Sequence, residues 1–76
     1  MSKSVTFPFG WIRGMDDENW QLLWNPKTGI FFAKGALSKR VINLGESSNW
    51  VDAKALADKV QNEAHIYSQI LINESP

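Results

Sequence analysis

Cysteine is absent from this chain of 76 residues, which excludes disulfides and thiolate zinc sites. Packing alone must hold the fold together. Histidine chemistry is almost as restricted, because His65 is the only one. An excess of charge is missing too: eight basic and eight acidic residues cancel. No net field steers such a chain toward nucleic acid or an anionic membrane. No apolar run nears the ~20 residues that cross a bilayer, and the N-terminus has no basic-then-apolar export segment. No phosphate-cradling glycine loop and no nucleophile elbow is present. These absences set three expectations: no membrane contact, a cytoplasmic location, and neither catalytic residues, cofactor nor metal.

What the chain has instead is aromatic bulk. Trp11, Trp20, Trp24, Trp50 and four phenylalanines suit a small domain that must build its core from large side chains. The length leaves room for a single domain, residues 1–76.

The segment WQLLWNPKTGIFFAK reads as a β-hairpin. Pro26 presets one turn dihedral and Gly29 supplies another, between strands over residues 20–24 and 30–34. Neighbouring strand residues point to opposite faces. The adjacent pairs Leu22-Leu23 and Phe31-Phe32 therefore put one large apolar group on each side, whatever the register. Val5, Phe7 and Phe9 alternate around Pro8 in an edge-type segment. Trp11 to Arg13 reads as a short strand or bend, and residues 40–44 as a further strand.

A helix follows, with Asn49 as N-cap and Asp52 favourably placed in its first turn. Ala53, Leu56, Ala57, Val60, Ala64, Tyr67 and Leu71 form its apolar stripe. Ile66, Ile70 and Ile72 widen that surface in the second half. The predicted fold is α+β: an antiparallel sheet of three or four strands with one C-terminal helix on one face. An SH3-like barrel closed by a helix is the alternative.

Candidate chemistry is sparse. His65 falls on the polar helix side and reads as a surface residue. Asp16, Asp17 and Glu18 occupy a turn and read as solvated rather than as a cation site. Trp20 and Trp24 share a strand face and are expected to floor the core; Trp11 and Trp50 are expected to anchor it.

From Trp20 onward the chain resembles AP2-type and integrase arm-binding domains, which have three antiparallel strands followed by one packing helix. VINLG, a short spacer and VDAKALADKV are similar to their last strand and helix start. The resemblance implies an exposed sheet face lying in the DNA major groove. Gln21, Lys34, Arg40 and Asn43 are the strand positions that match. Leu23, one of Phe31 and Phe32, Ala33 and Val41 stand where base-reading groups are expected.

One helix covers one face, so apolar residues remain on the other. The leading expectation is a non-enzymatic module that binds a protein partner or itself through Leu23, Phe31 or Phe32, Ile66, Ile70 and Ile72. The alternative is nucleic-acid binding through Gln21, Lys27, Lys34, Lys39, Arg40 and Asn43, cations on phosphate beside aromatic rings.

Overall fold

A computed structural model describes residues 5–14 and 17–73, with side chains through Leu71. Four strands come first: β1 (Phe7–Arg13), β2 (Asn19–Trp24), β3 (Ile30–Gly35) and β4 (Val41–Glu46). They form one antiparallel sheet in the order β1-β2-β3-β4. Helices α1 (Trp50–Asn62) and α2 (Ala64–Asn73) follow. The class is α+β, as the sequence pattern predicts. The sheet is open, with β1 and β4 at its edges, so the barrel alternative does not apply.

Two sequence segments merge into β1. The stretch around Pro8 and the stretch Trp11 to Arg13 are one strand with an irregularity between Pro8 and Trp11. Gly10 makes this bend possible. Its φ of +106° suits glycine, and a Cβ there would meet the Gln61 amide nitrogen at 2.8 Å. Gln61 Nε2 donates to the Trp11 carbonyl at 3.2 Å, which ties α1 to the bend.

The inner face is laid down by alternation, unbroken on β2 and β3 and interrupted by the β1 irregularity and by a second one between β3 and β4 opposite Phe31 and Phe32. Ile12, Trp20 and Gly35 lie side by side across three strands; so do Leu22, Ala33 and Ile42, and then Phe7, Trp24, Phe31 and Gly45 across all four. Each row also holds one small residue, and Gly45 leaves room for Leu56 of the helical layer, whose side chain lies 3.3 Å from where a Cβ would stand. Trp20, Leu22, Phe31 and Ala33 are fully buried, and Trp24 nearly so. Trp20 and Trp24 do floor the core. From the helices, Ala53, Ala57, Val60 and Leu71 complete it. The alanines let α1 lie close. One end of this core is an aromatic cluster: Trp50 packs on Phe7, Phe9 and Trp24 with ring centroids 5.0–6.2 Å apart. Trp50 sits at the margin of the core, half exposed, rather than as a buried anchor.

The helical region differs from the prediction in one respect. Two helices replace the single one, with Glu63 between them at φ −114° and ψ 35°. Its N–H still donates to the Lys59 carbonyl at 2.9 Å, while its own carbonyl accepts from Ile66 and Tyr67. No proline or glycine marks the break. The gain is burial: after the break α2 buries Leu71 and Ser68 and packs on β1. The start of α1 matches expectation, since Asn49 Oδ1 accepts from the Asp52 N–H at 2.9 Å.

The opposed phenylalanines provide a direct test of the register. Phe31→Ala should cost about 3–5 kcal/mol, as truncation of a fully buried ring does. Phe32→Ala, on the other face, should cost well under half of that. Urea unfolding of the two variants gives the comparison; equal losses would contradict the assigned faces.

Candidate sheet-face interface

The outer face of the sheet carries the residues left over by the inward alternation. Its central row is Pro8, Leu23, Phe32 and Asn43, paired across the four strands. A second row, toward the β3–β4 turn, is Trp11, Gln21, Lys34 and Val41. On the other side of the central row lies the pair Ile30 and Glu46. Trp11 is 52% exposed and Val41 57%, while Leu23 and Phe32 are partly exposed between their neighbours. Both helices make their main sheet contacts on the inner side, and nothing among the described residues covers this face.

The structure separates the residues expected to contact protein. Leu23 and Phe32 are cross-strand partners at the centre of the outer face. Phe31 turns inward and is fully buried, so it is not a contact residue; Phe32 takes that role. Ile66 and Ile70, 44% and 36% exposed, lie one turn apart on α2, in the helical layer and not beside Leu23. The side chain of Ile72 lies outside the described residues.

The nucleic-acid set is divided as well. Gln21, Lys34 and Asn43 stand on the outer face. Lys39 reaches the same corner, where Trp11, Gln21, Lys34, Gly35, Ala36 and Lys39 line a shallow hollow of about 190 Å³. Lys27 lies in the β2–β3 turn, at the opposite end. Arg40 is engaged on the inner side. Its guanidinium lies 5.1 Å from the Trp20 ring and 3.6 Å from Glu18, so it is not a free cation for phosphate.

Sequence reasoning missed two residues. Trp11, expected as a core anchor, is the largest exposed group on the outer face. Only its pairing with Gln21, beyond the β1 irregularity, assigns it there. Glu18, expected in a solvated turn, is buried. One carboxylate oxygen accepts from the Leu37 N–H at 2.9 Å, the Ser38 N–H at 2.7 Å and the Ser38 hydroxyl at 2.9 Å. It thereby latches the β3–β4 turn that carries Lys39. Gly35 is required beside it, because a Cβ there would collide with the Glu18 carboxylate and the Ser38 hydroxyl. Asp17 is exposed and pairs with Arg13 at 3.3 Å, and Asp16 lies outside the described residues.

A second hollow, about 360 Å³, is lined by Thr28, Gly29, Glu46, Ser47, Ser48 and Asp52. Two of its side chains are engaged at the start of α1, where Ser48 Oγ and Asn49 Nδ2 donate to Asp52. His65 is exposed on α2. The described residues bring together no group of three or more His, Asp or Glu placed to hold a metal ion. No described helix is long and apolar enough to cross a membrane.

Comparison with known proteins finds no match to this chain, whether a family model, a curated protein or a solved structure.

The Glu18 latch predicts a pH dependence. The Ser38 N–H lowers the Glu18 pKa below its ordinary 4.5, helped by the Ser38 hydroxyl, the Leu37 N–H and the Arg40 charge, with burial opposing. A carboxyl depressed on folding stabilises the native state fully above its unfolded pKa, and that contribution is lost as pH falls through the folded value. Urea midpoints should drop below pH 4.5 in the parent protein and fall less steeply in Glu18→Gln. Parallel pH profiles would show that Glu18 is not the latch.

Proposed function

We propose that this protein is a non-enzymatic docking module that binds protein through the uncovered face of its sheet. The observation that carries the reading is the apolar strip Pro8, Trp11, Leu23, Phe32 and Val41, presented on four paired strands with no helix over it among the described residues. Water contact with such a strip is unfavourable by about 25 cal/mol per Å², and contiguous exposed apolar patches of this kind mark contact surfaces. A sheet is a rigid platform, so little ordering entropy opposes binding. Trp11 and Phe32 supply the aromatic area that interface cores favour. Gln21, Lys34 and Asn43 supply a polar surround.

A second reading, nucleic-acid binding by the same face, is favoured by one arrangement: Lys34, Lys39 and Gln21 around the exposed Trp11 ring. Cations beside a stacking platform suit single strands. Its signature is affinity that falls steeply with salt. A fluorescent single-stranded oligonucleotide that stays unbound at low salt, with protein in excess, removes this reading.

The docking reading is tested with a double variant, Leu23→Lys with Phe32→Glu, which sets opposite charges across the strand pair. Both positions are partly exposed, so the variant should fold, as circular dichroism will report. Immobilised parent protein should retain bound protein, a second copy included, and the variant should retain roughly tenfold less, as for truncation of central anchors. A retained set unchanged by the double variant would overturn the proposal.

A further inference from the structure

The outer face is not only apolar; its charges are arranged by position. Among the outward strand residues the charged ones are Arg13, Lys34 and Glu46. Arg13 is held by Asp17. That leaves Lys34 beyond the central row toward the β3–β4 turn, and Glu46 beyond it on the other side. Along β3 the order is Ile30, Phe32, Lys34, and Glu46 is the cross-strand neighbour of Ile30. Lys34 and Glu46 thus flank the Leu23–Phe32 centre from opposite ends.

This pattern is self-complementary. Consider a second copy laid face to face, related by a two-fold axis between the sheets and perpendicular to the strands, passing over the Leu23–Phe32 row. Each strand then faces its own copy running the other way. Phe32 meets Phe32 and Leu23 meets Leu23. Lys34 falls over Ile30 of the second copy, with Glu46 of that copy about 5 Å to the side, one strand spacing away and within a lysine's reach. The symmetry gives two such pairs, one on each side of the apolar centre. A closed two-fold contact of this kind is the commonest form of association, and aligned sheet packing tolerates a rotation of about 30° from twist.

We infer that the occupant of the outer sheet face is a second copy of this chain, stacked sheet on sheet with Lys34 paired to Glu46 across the two-fold. The inference rests on the docking reading above and names its partner. Two observations favour it over a foreign polyanion or polycation. The face carries both signs at opposite ends. The chain has zero formal net charge, so two copies do not repel. Four strands about 4.8 Å apart and six or seven residues long present about 400 Å² of projected face per copy. Once side-chain relief is included, the pair buries on the order of 1,000 Å², the lower limit for a specific interface. A weak, reversible dimer is therefore expected.

Sedimentation equilibrium on the full chain tests it. The parent protein should reach a dimer at high micromolar concentration. Lys34→Glu alone and Glu46→Lys alone should each weaken dimerisation about tenfold or more, because each sets two like charges together twice. The double swap, Lys34→Glu with Glu46→Lys, should restore it. Leu23→Lys with Phe32→Glu should give a folded monomer. A parent protein that is monomeric at high micromolar concentration overturns the inference, as does a double swap no better than the single ones, or a dimer indifferent to Leu23 and Phe32. A monomeric parent whose capture of other proteins still depends on Leu23 and Phe32 removes the second copy and leaves the docking reading in place. Capture indifferent to both residues removes the two together.

Discussion

The packing of Trp20, Leu22, Trp24 and Phe31 against an alanine-lined helix is the constraint on which the molecule turns. These four residues, on the two central strands, are almost completely buried and form the middle of the inner face, with Ile12, Ala33 and Ile42 beside them. They do so because a pleated strand sends alternate side chains to one side, and because Ala53 and Ala57 bring α1 near enough to exclude water. With no disulfide to restrain the unfolded chain, burial of these rings is the main force opposing conformational entropy. A domain this small has little margin beyond it.

The same alternation creates the outer face. On β2 and β3 each residue that turns inward forces its neighbours outward, so Leu23 and Phe32 are left partly exposed as a geometric consequence of burying Leu22 and Phe31. A strand serving only the core would carry polar residues at those positions, as Gln21 and Lys34 do in the adjoining row. Leu23 and Phe32, with Pro8, Trp11 and Val41 near them, depart from the pattern of an ordinary solvated sheet, and the docking proposal rests on that departure.

The polar features are placed where the sheet would otherwise be loose. Glu18 gathers the N–H groups of the β3–β4 turn, while Arg40 spans Glu18 and the Trp20 ring. At the other end Trp24 donates to the Ser47 carbonyl at 3.1 Å, joining β2 to the approach to α1. Gln61 closes the β1 side. Each bond links elements that are distant in sequence, and each holds the corner from which outer-face side chains project. The function proposed here depends on that rigidity, because a flat surface binds only if its residues stay in register.

The hairpin, the Asn49 cap, the helical stripe and the presence of apolar groups on both sheet faces were legible in order and spacing alone. Turn chemistry and residue periodicity are local properties, and local properties can be read along a chain. Which phenylalanine faces the core, however, depends on a pairing register that a shift of one residue would invert. The outward place of Trp11 depends on the β1 irregularity at Gly10. The burial of Glu18 depends on a turn about twenty residues away, and the break at Glu63 on where α2 finds apolar surface against β1. In each case a contact between distant segments made the decision, and such contacts exist only once the chain has folded.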